Sequence, residues 1–120
     1  MSGLSWISYK GKKILYTDYG SSHEENMKLL EKQGKYEEVH PDLLIISNYE
    51  GTVATQEYIQ KVREYGKKFR KDRKTNVKNA ALGITGVKKT LFDTYLFFSG
   101  DTQTKLFNTI EEAKEWLVSD

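Results

Sequence analysis

Asp18, Asn48 and Thr85 stand just beyond three strand-like runs, and their side chains offer a carboxylate, an amide and a hydroxyl. Such a set can hold a polar ligand by hydrogen bonds. With no nucleophile beside a base, it has no route to turning one over. The candidate face around these three takes in Asp18, Ser47, Asn48, Tyr49, Thr52, Thr55, Thr85 and Gly86. In a parallel α/β sheet the loops after the strands gather at one end. Helix N-termini bring unpaired N–H groups there, and ligands bind there. Tyr49 sits in the longest of these loops and fits no apolar pattern, which makes it the expected contact anchor. The plainer reading of Asp18 and Thr85 is as turn or capping residues.

Other chemistries fail on residue type or spacing. The chain has no cysteine, which excludes disulfides, thiolate metal sites and cysteine nucleophiles. His23 and His40 are the only histidines and no carboxylate pair is spaced to complete a metal site, so no metal and no cofactor are expected. A Gly-x-Ser-x-Gly elbow is absent, and both histidines lie on polar segments. Gly83-Ile84-Thr85-Gly86 lacks the glycine spacing and the lysine of a phosphate loop, and reads as a tight strand-to-helix turn. No catalytic residue emerges, and an enzyme is not expected.

One charged tract stands out. Residues 61–78 hold nine Lys and Arg against Glu64 and Asp72, a local +7 in a chain whose net charge is +2. Lys67, Lys68, Arg70, Lys71, Arg73 and Lys74 form a candidate polyanion patch for nucleic acid, an anionic surface or an acidic protein. No interleaved aromatic platform accompanies it, so attraction would be weak, salt-sensitive and without sequence specificity. Its simpler reading is a solvated helix end, where cations suit the helix dipole.

The elements that must position these residues centre on Asp42 to Ser47, four aliphatic residues in a row behind Pro41. An unbroken aliphatic run of strand length predicts a strand covered on both faces. Before it, Leu4–Tyr9 and Lys13–Tyr19 predict an antiparallel hairpin across Lys10-Gly11-Lys12. Ser22 with Glu25 predicts the start of a helix carrying Met27, Leu30 and Gly34, with Gly34 as its stop and Lys35–His40 as a polar connection. Thr52 or Thr55 caps a second helix with the stripe Tyr58, Ile59, Val62, Tyr65 and Phe69. Asn79–Ile84 reads as a small-residue strand, residues 87–98 as a mostly apolar third helix and Thr104–Phe107 as a last strand. Thr109 with Glu112 opens a final helix whose stripe Ile110, Ala113, Trp116 and Leu117 is expected to dock into the core.

At 120 residues with 38% apolar content and a single proline, the chain predicts one domain, 1–120. No apolar run reaches membrane-spanning length and the N-terminus lacks the pattern of a secretory signal, so a cytoplasmic location without a membrane span is expected. Strands alternating with helices imply a mostly parallel five-stranded mixed sheet, the first strand antiparallel, with four helices.

Several stretches resemble the SpoIIAA-like family of the STAS-like group, also labelled STAS/SEC14-domain proteins. They are the run Tyr9–Tyr19, then Ala81–Lys89 with its Gly-Ile-Thr-Gly turn, and Lys105-Leu106-Phe107 with Glu111–Leu117. The resemblance covers nearly the whole chain. It implies a right-handed β-α superhelix and a regulatory or protein-interaction role. The Sec14 side of the resemblance suggests a small apolar ligand or lipid as the alternative. Relatives in that group are switched by phosphorylation of a serine in an Asp-Ser-Ser/Ala-Gly motif. The matching stretch here, Ser47–Thr55, lacks that motif, so no phosphosite is carried over. A protein partner is the expectation, specific nucleic acid is not, and a homodimer is compatible with the sequence.

Overall fold

The computed structural model describes residues 3–40, 42–52, 55–58, 60, 61, 64, 77–84, 89 and 104–119. Two strands open the chain, β1 (Gly3–Tyr9) and β2 (Lys12–Asp18), followed by helix α1 (His23–Val39) and strand β3 (Leu44–Asn48). β4 (Lys78–Leu82), β5 (Thr104–Phe107) and helix α2 (Ile110–Val118) complete the defined elements. Residues 56–58, 60, 61 and 64 are helical as well, within the second predicted helix. The third predicted helix lies outside the described residues except for Lys89, which is helical.

The five strands form one sheet in chain order, with β1 antiparallel to β2 and every later neighbour parallel. The α/β class and the mixed sheet are therefore as expected. Lys10 (φ 49°) and Gly11 (φ 79°) both adopt left-handed backbone. That is the two-residue turn whose twist matches the flanking strands, and it sets Tyr9 opposite Lys12.

Alternation along the strands sends side chains to two layers. Ile14, Ile46, Ala80 and Leu82 face α2, where they meet Ala113 and Leu117. On the other face Leu15, Leu43, Ile45 and Val77 pack with Tyr36 of α1, and Tyr19, Tyr49, Ala81 and Tyr58 gather around Leu29. Ile45 and Ile46 are both fully buried, as a strand covered on both sides requires. The aliphatic run is placed slightly differently from the expectation. The strand proper starts at Leu44, which is only half-buried, and β4 is buried as thoroughly as β3 because it too is an interior strand.

α1 departs from its expected length. Ser22 caps it, accepting from the Glu25 N–H at 3.3 Å, but the helix passes through Gly34 and ends at Val39. Gly34 is buried in the helix interior rather than standing beyond its end. The turn after it is retained because Tyr36 packs on Leu15, Leu43, Ile45 and Val77 and meets Trp6 edge-on at 5.7 Å. Tertiary packing here outweighs the roughly 1 kcal/mol that glycine costs inside a helix.

α2 is capped by Thr109, which accepts from the Glu112 N–H at 3.2 Å. Ala113 and Leu117, one turn apart, are the residues it buries. Trp116 docks less deeply than expected, packing against the core cluster from its border. It lies half-buried at the rim beside Phe107 at 5.4 Å, with the Lys78 and Lys105 ammonium groups over its ring at 5.3 and 5.4 Å. The i to i+4 stripe points inward at Ala113 and Leu117, and Trp116 sits at its border. Leu117→Ala is therefore expected to cost about 3 kcal/mol, and Trp116→Ala about half as much. Urea unfolding of the two variants checks the order, and a costlier Trp116 change would place the indole in the core after all.

The hairpin is clipped to α2 on the surface. Tyr9 donates its hydroxyl proton to the Glu115 carboxylate, and Lys10 Nζ lies 2.8 Å from the same group. The Lys10 and Tyr9 hydrogen bonds hold Glu115 below the usual carboxylate range.

Candidate functional site

The carboxyl ends of the parallel strands bring most of the expected face together, but turn much of it inward. Ser47 is fully buried and donates to Asn79 Oδ1 at 2.8 Å. Tyr49, expected as an exposed anchor, is 8% exposed and stacks flat on Tyr19, rings 4.8 Å apart and 1° from parallel. Its loop folds back over the sheet, with the Tyr49 N–H donating to the Leu82 carbonyl at 2.8 Å. Thr52 is also buried and donates to the Gly20 carbonyl at 3.2 Å. These three are corrected from contact residues to interior ones. Thr55 accepts from the Tyr58 N–H at 3.1 Å, so it is the helix cap rather than Thr52.

Asp18 and Asn48 remain half-buried at the ends of β2 and β3, one opposite the other. Asn48 is used twice. Its Oδ1 accepts from the Glu50 N–H at 3.0 Å, an Asx turn, and its Nδ2 donates to the Tyr16 hydroxyl at 2.9 Å. Thr85 and Gly86 lie outside the described residues, as do Lys67, Lys68, Arg70, Lys71, Arg73 and Lys74. Of the basic tract's charged residues, Lys61, Glu64 and Lys78 are described. Lys61 pairs with Glu57 at 3.4 Å. Lys78 donates to the Ser119 carbonyl at 2.8 Å beyond the end of α2, a helix-end role rather than a free cation.

A groove of about 490 Å³ crosses this end of the sheet on the α2 side. Tyr16, Asn48, Leu82 and Phe107 bring it the ends of β2 to β5, and Glu50, Gly83, Asn108 and Ile110 complete it. Its lining therefore offers a phenol, two amides and a carboxylate beside apolar walls, groups that position a polar guest by hydrogen bonds. Among the described residues no three His, Asp or Glu side chains converge as a metal site would need. Gly83 shapes the groove floor. It has φ +78°, and a Cβ there would lie 2.4 Å from the Glu50 backbone nitrogen.

The residues that hold this end together were not singled out in the sequence. Asn26 of α1 is fully buried and grips Gly20 twice, accepting from its N–H at 2.9 Å and donating to its carbonyl at 2.7 Å. Gln33, 1% exposed, accepts from Thr17 Oγ1 at 3.0 Å and from the Tyr19 hydroxyl at 3.1 Å. Both lie on the helix face of Leu29 and Leu30, and that shared face was the signal available.

A second groove, of about 500 Å³, runs between α1 and the helical residues Glu57, Tyr58 and Lys61. His23 stacks on Tyr58 at 4.3 Å inside it. Burial pushes the Tyr58 phenol from 10.0 up to about 12, against a smaller opposing hydrogen bond from Asn26. A folded-state pKa above the unfolded one gives stability that is intact below pH 10.0 and drains away as pH rises toward 12. That lag amounts to about 3 kcal/mol. Alkaline unfolding of Tyr58→Phe should lack this part of the loss, and identical slopes for variant and wild type would show that Tyr58 is not desolvated. Among the described residues no helix is long and apolar enough to cross a membrane. Compared with protein-family models, with curated proteins and with solved structures, the chain matches none.

Proposed function

We propose that this chain is a non-enzymatic, cytoplasmic binding module of the SpoIIAA-like type that meets a protein partner at the carboxyl end of its sheet. The reading includes a right-handed β-α superhelix with four helices, the third over residues 87–98. The observation that carries it is the groove drawn from the ends of β2 to β5, with Asn48, Asn108 and the Tyr16 hydroxyl beside Phe107 and Ile110. Polar groups at the end of a rigid parallel sheet are well placed to fix a partner's orientation, and the half-buried aromatic wall supplies contact area.

The size of the groove favours a second reading, a small ligand, since about 490 Å³ lies within the range of small-molecule sites. Affinity capture with the full chain, repeated with Asn108→Arg and with Lys32→Glu on the exposed side of α1, separates these readings. Loss of a captured protein with Asn108→Arg alone supports the first. A small molecule retained in native mass spectra of the wild type and lost from Asn108→Arg supports the second. Partners indifferent to Asn108→Arg would refute the placement.

A further inference from the structure

β1 is an edge of the sheet, and among the described residues nothing pairs with its outer side. Its seven residues carry no charge and no proline, whereas the opposite edge, β5, has four residues and includes Lys105. Natural edge strands are commonly kept from pairing by lysine, proline, a bulge or short length, and β1 has none of these. Two large apolar side chains among the described residues are markedly exposed, Trp6 at 44% and Val39 at 70%. Trp6 lies on β1, edge-on to Tyr36 and to His40 at 6.2 Å, and Val39 is His40's chain neighbour.

We propose that β1 pairs antiparallel with β1 of a second copy of this chain, across a two-fold axis at Trp6. The register argues for a second copy rather than a foreign strand. In a two-residue hairpin the closing pair, here Tyr9 with Lys12, is hydrogen-bonded, and bonded pairs then alternate along the ladder. Ser8, Trp6 and Leu4 fall on the non-bonded positions, so they turn their N–H and C=O groups to the free side. A two-fold axis at Trp6 maps Leu4 onto Ser8 and Trp6 onto itself. Every outward-facing residue then meets another, as a self-complementary interface requires.

The charges agree with that register. Antiparallel pairing lays the hairpin end of one copy, with Lys10, Lys12 and Lys13, beside the Gly3 end of the other, where Asp18 is Gly3's partner. The strand itself brings no like charges opposite each other. The two indoles meet on the α1 face and cover the exposed aromatic patch.

Sedimentation of the full chain at rising concentration tests this. The expected result is a closed monomer–dimer equilibrium with a dissociation constant of about 10 μM, as suits a small interface. Trp6→Lys places two ammonium groups together, and Ser8→Pro removes an outward donor while sparing the ladder to β2. Each should weaken dimerisation by about tenfold or more with an unchanged circular dichroism spectrum. Amide exchange on the wild type gives a readout free of variants. Leu4, Trp6 and Ser8 should be protected in concentrated solution and exposed on dilution, while Ile7 and Tyr9 stay protected in both. A wild type that stays monomeric to about 0.3 mM overturns the proposal. So does a dimer that survives both substitutions, protection that ignores concentration, or growth into open-ended assemblies.

Discussion

Gly83→Ala is expected to destabilise the protein by about 3–5 kcal/mol, more than any other small-residue change at the carboxyl end of the sheet. Two costs combine. The residue holds φ +78°, a left-handed backbone that costs an L side chain about 1–2 kcal/mol. Its added Cβ would also lie 2.4 Å from the Glu50 nitrogen and 2.5 Å from the Glu50 Cα. Those are backbone atoms, so the loop after β3 must move away from the loop after β4. That loop is not free to move, because Tyr49 is stacked on Tyr19 and bonded to the Leu82 carbonyl. Gly11 is the internal control. It shares the left-handed backbone, φ +79°, but a Cβ there meets nothing within 4 Å. Gly11→Ala should show the backbone cost alone, and the difference between the two variants in urea unfolding measures the clash. Equal costs would mean that the loops after β3 and β4 can separate freely.

The elements legible in the sequence are those specified by neighbours in the chain. The hairpin turn and the Ser22 and Thr109 caps all depend on residues within a few positions of one another; the caps are found where expected, and the turn is there too, one residue shorter because Lys12 already belongs to β2. What escaped depends on distant pairings. Tyr49 looked exposed because its loop is polar, but its partner Tyr19 comes from the end of β2. Gly34 looked like a stop because the residues after it are polar. Only the sheet supplies the cluster on which Tyr36 rests. Trp116 looked like core because it belongs to an apolar stripe, and only the path of α2 across the sheet decides which side of that stripe turns inward.

The same reasoning explains the weak apolar pattern of α1. Its inner face mixes Leu29 with two buried amides, Asn26 and Gln33, so hydrophobic periodicity alone underestimates how firmly it is held. Those amides hydrogen-bond groups at the end of β2. They therefore connect the helix directly to the end of the sheet that forms the groove, through Gly20, Thr17 and Tyr19. A buried amide with this many partners is specified by geometry as much as by burial.

Asn26 is where that connection should be most sensitive. Asn26→Ala removes the acceptor for the Gly20 N–H and one donor to its carbonyl, where Thr52 also donates. Leaving a part-buried donor unpaired, together with the small cavity, should cost about 2–3 kcal/mol. Asn26→Asp is nearly the same shape and separates hydrogen bonding from volume. A carboxylate can still accept from the Gly20 N–H, but it faces the Gly20 carbonyl with no proton to donate, in a fully buried site. Full burial and the acceptor opposite favour the protonated acid and should outweigh the Gly20 N–H, which favours the carboxylate, so the folded-state pKa of Asp at this position is expected above its unfolded value of about 4. A raised pKa carries stability that is complete below about pH 4 and is lost as pH rises through the folded value. Asn26→Asp should therefore be the less stable of the two variants at neutral pH and should recover relative to Asn26→Ala on acidification. Urea unfolding of both variants across that range decides it. If Asn26→Ala changes stability by less than about 0.5 kcal/mol, or the two variants respond alike to acid, the Asn26 bonds to Gly20 do little to hold α1.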